Sequence, residues 1–226
     1  MASRRAWAAA LAALMLLSMG AAATGQQRQP THDMLMAGAR GDADRLQKLI
    51  ASGAVLDPVD TAGRTPLMLA VQNNHAPAAK VLIEAGADIN ARSANMDTPW
   101  LLAGARGRTE MIRLMIPRGP DYGLRNRYGG SALIPACHYG HVDTVRLLLT
   151  TEIDVNQVNN LGWTCLLEAV ILGNGTESYV EIAKMVLAAG ADPNIADSQG
   201  VTAVTHALKR RQAEVARVIA EAGGRR

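Results

Sequence analysis

The chain has 226 residues, of which 49% are hydrophobic and only 3% aromatic, and phenylalanine is absent. A core must therefore be built from small aliphatic side chains, which favours one elongated domain of thin layers over two globular domains. The formal net charge of +3 falls to +1 without Arg4 and Arg5, so charge gives no reason to expect a nucleic-acid partner.

The first segment has the layout of a secretory signal peptide. Arg4 and Arg5 precede an apolar run over residues 6–19, and small residues follow at 20–23. The alternative is a membrane anchor, but the run is shorter than the roughly 20 residues that a transmembrane helix needs. We expect residues 1–25 to be removed near Ala23 or Gly25, leaving a periplasmic protein without a membrane anchor. Residues 26–32 are expected to form a disordered lead-in to a folded domain at 33–224.

A six-residue motif then repeats through the domain. The sequence TPLMLA at 65–70 returns as TPWLLA at 98–103, after 33 residues, and altered copies follow. A fixed period of this length indicates supersecondary units that bury their apolar faces only against their neighbours. The spacing predicts helix starts near Thr65, Thr98, Ser131, Thr164 and Thr202.

These motifs resemble the ankyrin repeat, whose signatures are a TPLHxA helix start and a later G-A-D-x-N turn, here at 86–90 and 190–194. The resemblance implies an all-α solenoid of about six stacked helix pairs, including capping repeats, with hairpin loops projecting from one edge. It also implies a monomeric, non-catalytic module that has no cofactor and that binds a protein partner through the hairpin tips and a concave groove. The chain is further similar to exported bacterial ankyrin proteins, some of which are linked to peroxide defence through a catalase.

The chain departs from the family pattern in several places. The family histidine is replaced in every copy, so we expect the repeats to cohere through packing alone. In repeat four, Pro135 removes the first intrahelical hydrogen bond, and Glu152 occupies the position of the closing glycine. We therefore expect the softest joint between repeats three and four. Repeat five carries a five-residue insertion at 174–178, which is either a neutral surface loop or part of the binding face.

A second interpretation is a metal-binding or enzymatic protein that uses Cys137, His138 and His141. Against it, Gly140-His141 matches the ordinary turn of the family and no fourth ligand is visible at a matching spacing, so no metal site is predicted. Because packed helices lie about 10 Å apart and a disulfide needs Cα atoms within about 7 Å, we expect Cys137 and Cys165 to be separate buried thiols.

The candidate binding surface follows from the columns of the repeat that face the groove. Exposed aromatic clusters rimmed by arginine are typical of protein interfaces. Trp163 either belongs to this cluster or folds back over the neighbouring hairpin, and the arginines between residues 106 and 127 are either a solvated helix face or a patch that steers an acidic partner. The predicted partner-binding residues are Tyr128, Tyr139, Leu161, Trp163, Ile171 and Leu172, with Arg106 and Arg127 on the rim.

Overall fold

A computed structural model of the protein describes residues 30–226. The expected signal peptide and residues 26–29 lie outside the described residues. Residues 30–32, which the sequence assigned to a disordered lead-in, are already helical. The folded domain therefore includes residues that precede Asp33.

Six helix pairs follow one another along the described chain, each pair joined by a short turn. Between residues 30 and 226 the only β-structure is an isolated bridge between Ala196 and Thr202, so the predicted all-α fold is confirmed. No helix in this range is long and apolar enough to cross a membrane. The helices are α1 (30–40), α2 (Ala43–Ala51), α3 (Pro66–Gln72), α4 (Ala76–Glu84), α5 (Pro99–Ala105), α6 (Thr109–Met115), α7 (Leu133–His138), α8 (Val142–Leu148), α9 (Cys165–Ile171), α10 (Glu177–Ala188), α11 (Ala203–Lys209) and α12 (Ala213–Glu221), with a 3-10 turn at Ile116–Arg118.

The pairs stack into two layers. The first helices α3, α5, α7, α9 and α11 pack side by side, and the second helices from α2 to α12 form a parallel row. Between the layers runs one continuous core of leucine, isoleucine, valine, alanine and methionine side chains. Trp100 occupies the slot that Leu67 fills one repeat earlier, and both are buried. Trp100 also makes an edge-to-face contact with Tyr122, with 5.7 Å between ring centroids.

Three of the five predicted helix starts show the predicted capping bond, and those at Ser131 and Thr202 do not. The hydroxyl of Thr65 accepts from the Met68 N–H at 3.2 Å, and Thr98 and Thr164 cap their helices in the same way. Ser131 does not: α7 begins at Leu133, and the Ser131 hydroxyl is buried without a hydrogen-bond partner. The Ser131 carbonyl would accept from residue 135, but Pro135 has no N–H, so the first intrahelical bond is missing as the sequence predicted.

The helices end at the predicted glycines, and the structure also shows how the helix of repeat four ends, where Glu152 stands in place of the closing glycine. Gly86 and Gly190 have φ of +93° and +94°, the left-handed region in which glycine closes a helix. Glu152 is not among the residues with positive φ. Instead, the hydroxyls of Thr150 and Thr151 donate to the last carbonyls of α8, at 2.7 and 2.6 Å. The helix of repeat four therefore ends without a strained residue.

The repeats do not cohere through packing alone, and that prediction is wrong. The side chain of Asn90 accepts from the Asp121 N–H in the next repeat at 3.0 Å, and Asn156 accepts from Asp192 at 2.7 Å. Asp57 and Asn194 make the corresponding contacts at the two ends of the array. Asparagine in the late turn thus supplies the bridging hydrogen bond that the missing family histidine does not.

The two cysteines form a disulfide, which corrects the expectation of two separate thiols. Their Cα atoms are 5.5 Å apart, and both residues are buried. The limit of about 7 Å applies to the distance between Cα atoms, whereas the spacing of about 10 Å is the distance between helix axes. Each Cα lies about 2.3 Å from its axis, so residues that face each other across axes about 10 Å apart come within bonding range. The bridge joins repeat four to repeat five at the first helices α7 and α9.

Candidate functional site

A groove of about 1040 Å³ opens along the first helices and loop tips of repeats three to five. Its floor is formed by α5, α7 and α9, and its wall by the loop segments 126–130 and 159–163. This is the concave edge on which the sequence placed its binding surface. The groove is open along its length, which suits an extended occupant better than a small enclosed ligand.

Seven of the eight predicted residues line this groove, and Ile171 does not. Ile171 is only 6% exposed and belongs to the core, because the last turn of α9 directs it between the helix layers. Its neighbour Leu172, just past the end of the helix, faces the groove instead. The residues that the structure brings together are Arg106, Arg127, Tyr128, Tyr139, Leu161, Trp163 and Leu172.

Four of these side chains are apolar and largely exposed. Tyr128 and Tyr139 are 60% and 59% exposed, and Leu161 and Leu172 are 54% and 44% exposed. Trp163 differs, because it lines the groove while its partly buried ring packs against the core. Trp163 therefore lies beside the exposed cluster without being fully exposed itself. A group of large apolar side chains without cover on one face is typical of an interaction surface.

Asparagine side chains hold the loop tips that carry these residues. Asn126 accepts from the N–H groups of Tyr128 and Gly130, at 2.9 and 3.0 Å. In the next repeat Asn159 accepts from Leu161 and Trp163, at 2.9 and 3.1 Å. Such side chain–backbone bonds fix the tips locally, so the apolar side chains are presented from a preorganised backbone.

Arginine forms one side of the groove. The Arg127 guanidinium lies 4.6 Å from the centroid of the Tyr128 ring and donates to its hydroxyl at 2.9 Å. Arg106 and Arg108 line the same groove, and burial together with the charge of Arg106 lowers the pKa of Arg108. Burial raises the pKa of the nearby Asp97, although the charges of Arg127 and Arg106 act against that shift.

Glu168, a buried carboxyl group at the groove floor, was not predicted from the sequence. Glu168 is 5% exposed, and burial raises its pKa to about 7. One oxygen, Oε1, accepts from the Asn159 amide at 2.8 Å, while Oε2 is buried without a hydrogen-bond partner, 3.6 Å from His138 Nδ1. Aligning the repeats on their first helices would have shown it, because the position of Glu168 in repeat five is leucine in repeats two and three, at Leu69 and Leu102.

The metal-binding alternative loses its thiolate, because the Cys137 sulfur is bonded to Cys165. The two histidines are held apart by an aromatic ring: His138 stacks on Tyr139, with 4.2 Å between centroids, and Tyr139 lies 5.9 Å from His141. His141 packs so closely over Gly107 that a Cβ there would lie 2.7 Å from the imidazole, which marks a structural role. In the part of the chain that the structure describes, no three His, Cys, Asp or Glu residues are grouped as a metal site requires.

The insertion of repeat five is only partly a loop. Its last residues belong to α10, which is longer than the other second helices of the array. From this extended turn the Tyr179 hydroxyl donates to the His138 carbonyl at 2.9 Å. The insertion thereby buttresses the end of α7, next to the groove.

Comparison with known proteins identifies this architecture. The family model described as ankyrin repeats (3 copies) matches residues 7–93 and 100–197. A comparison with curated proteins finds no match.

Solved structures show the same fold. An ankyrin repeat domain from Acinetobacter baumannii is 45% identical, with a TM-score of 0.82 over 85% of this chain and 98% of that one. A second ankyrin repeat protein is 41% identical, with a TM-score of 0.81 over 84% and 96% of the two chains. The ankyrin repeat domain of Bcl-3, described as a unique member of the IkappaB family, is 25% identical, with a TM-score of 0.75 over 85% and 86%.

Proposed function

Because the chain belongs to the ankyrin-repeat family, we propose that it binds a protein partner through the groove of repeats three to five and has no catalytic role. Ankyrin repeats are protein–protein interaction modules. The observation that carries the proposal is the exposed apolar cluster of Tyr128, Tyr139, Leu161 and Leu172 on the concave edge. Such residues beside arginine are the kind that dominate the binding energy of protein interfaces.

We further propose that the protein acts in the periplasm. The order of basic, apolar and small residues over 4–23 supports export, and the disulfide between Cys137 and Cys165 supports an oxidising compartment. A fusion of alkaline phosphatase to the C-terminus tests the location, since this reporter is active only after export. We expect an active fusion, and deletion of residues 1–25 should abolish its activity.

The partner-binding role is tested by paired charge insertions at two exposed aliphatic residues. Leu161→Asp places a charge in the groove, whereas Val55→Asp places one on repeat one, where Val55 is 66% exposed. We expect Leu161→Asp to abolish capture of the partner from a periplasmic extract and Val55→Asp to leave it intact. If both variants capture the partner equally and melt like the wild type, the groove is not the binding site.

A catalase is the first partner to examine. This choice rests on the resemblance to exported ankyrin proteins alone. Purified catalase is therefore mixed with the wild-type protein and with the Leu161→Asp variant. If catalase binds the wild-type protein but not the variant, the proposed link to catalase is supported. If catalase binds neither protein, the link is removed, but the proposal that the groove binds a protein partner stands.

A further inference from the structure

The groove carries more cationic than anionic groups. Arg106, Arg108 and Arg127 line it, and within residues 30–226 none of the three forms a salt bridge. Nε of Arg108 is buried and has no hydrogen-bond partner. Within this range, the charges of these three guanidinium groups are therefore not paired with a carboxylate at salt-bridge distance.

The other titratable groups of the groove do not cancel this charge. Asp97 and Glu168 are its two carboxyl groups, so the three arginines leave an excess of positive charge even where both are ionised. His138 and His141 add no negative charge, and burial lowers the pKa of each imidazole. At neutral pH the groove is therefore positively charged as well as apolar.

Glu168 lies beneath the surface of this groove and is only 5% exposed. Its Oε1 atom accepts from the Asn159 amide. Oε2 is buried without a hydrogen-bond partner, and His138 Nδ1 at 3.6 Å is too far for a normal bond. An incoming chain therefore does not contact this carboxyl group directly.

We propose that the occupant of this groove is an acidic peptide segment of the partner with at least one apolar side chain. Its carboxylates pair with Arg106 and Arg127, and its apolar side chain packs against Tyr139 and Leu161. This inference rests on the proposed function, because it names the chemistry of the segment that the groove binds. The pairing of opposite charges raises the association rate and excludes basic partners.

Charge also argues against residues 1–29 and 225–226 as the occupant. Residues 1–29 contain Arg4, Arg5 and Arg28 but no acidic residue, and residues 225 and 226 are both arginine. Both segments carry the same sign of charge as the groove.

A random peptide library displayed on phage and panned against the purified protein tests this inference. We expect the peptides that Leu161→Asp no longer binds to be enriched in Asp and Glu next to an apolar residue. Peptides that depend on the groove but lack acidic enrichment would overturn the inference and leave the proposed function standing. If no peptide depends on the groove, both fail. If light scattering shows a dimer that Leu161→Asp dissociates, the occupant is a second copy and the inference is wrong.

Charge reversal supplies the matched control. The double variant Arg106→Glu, Arg127→Glu should bind the selected peptides at least about tenfold more weakly, whereas Arg113→Glu, an exposed residue of α6 away from the groove, should stay within about twofold. Glu168 does not contact the occupant, so Glu168→Gln should change the affinity for the selected peptides by less than about threefold. A large loss on Glu168→Gln would mean that the carboxylate pairs with a cation and would overturn the inference.

Discussion

At the scale of single residues, the two tryptophans of the folded domain separate binding from stability. Trp100 is buried in the core, so Trp100→Ala should lower the free energy of unfolding by about 3–5 kcal/mol through the cavity that it leaves. Trp163 lines the groove while packing partly against the core, so Trp163→Ala should cost less stability and weaken partner binding by about 2 kcal/mol. Denaturant titration and affinity measurements on both variants check this. If Trp163→Ala melts like Trp100→Ala and binds normally, Trp163 is only structural.

Glu168 should make stability depend on pH in an unusual direction. Burial raises its pKa from 4.5 to about 7, so between these values the folded state holds a proton that the unfolded state has released. Stability therefore falls as pH rises through this window, by up to about 3 kcal/mol. Burial lowers the pKa of His138, which contributes a slope of opposite sign, so the wild type is compared with a variant that retains this histidine.

The measurement is the free energy of unfolding at pH 4.5 and at pH 8 for wild type and Glu168→Gln. The variant should gain stability relative to wild type as pH rises, because glutamine keeps the acceptor for Asn159 and never ionises. A difference between the two proteins that is constant with pH would contradict the raised pKa.

At the scale of elements, the junction between repeats three and four lacks two features of its neighbours, although the Thr109 and Thr144 hydroxyls do bond across it at 2.6 Å. The Asn90 and Asn156 bridges have no counterpart there, because the equivalent position is Gly123. In addition, α7 lacks a side-chain cap, and Pro135 cannot donate the bond that would start the helix earlier. We therefore expect amide hydrogen exchange to be fastest, among the helices, across residues 117–152. Uniform protection across this stretch would refute the expectation.

Gly123→Asn should strengthen this junction. An added Cβ would meet only the end of the Asp121 side chain, at 3.0 Å, and the asparagine could then accept from the Asp154 N–H, as Asn90 does from Asp121. We expect a gain of about 1 kcal/mol in the free energy of unfolding and slower exchange in α7. Asn90→Gly is the reverse control and should lose a similar amount. No gain from Gly123→Asn would show that the bond does not form.

Glu152→Gly tests the other irregular position of repeat four. Glycine would stabilise this position only if Glu152 were left-handed, and it is not. The substitution should instead lose about 0.5–1 kcal/mol through the greater freedom of the unfolded chain. Chemical denaturation of the variant measures the change.

The period of 33 residues predicted the repeating unit and its helix starts, and the resemblance to ankyrin repeats supplied the helix pairs and the groove. The departures were harder to predict. Ile171 and Leu172 are adjacent apolar residues at the end of one helix, and only the observed last turn shows which of them faces the groove. Glu168 was missed because the repeat pattern identifies which positions are buried, but it does not predict that one of them holds a polar side chain.

At the scale of the whole molecule, the disulfide joins repeats four and five beneath the binding surface. It closes a segment with a sequence separation of 28 residues, and constraint of the unfolded chain by such a loop is worth about 3–4 kcal/mol. The double variant Cys137→Ala, Cys165→Ala should unfold at lower denaturant concentration by that amount. Dithiothreitol should destabilise the wild type and leave the double variant unchanged; an equal response of both would exclude the disulfide as the cause.

The account depends most on the claim that repeats three to five bind the partner through their concave edge. Hydrogen exchange of the protein with and without its bound partner tests this claim most directly. We predict slower exchange on binding in the loop tips 126–130 and 159–163 and at the ends of α7 and α9, with no change in the outer helices α4, α6 and α12. Protection confined to those outer helices or to repeat one would contradict the account.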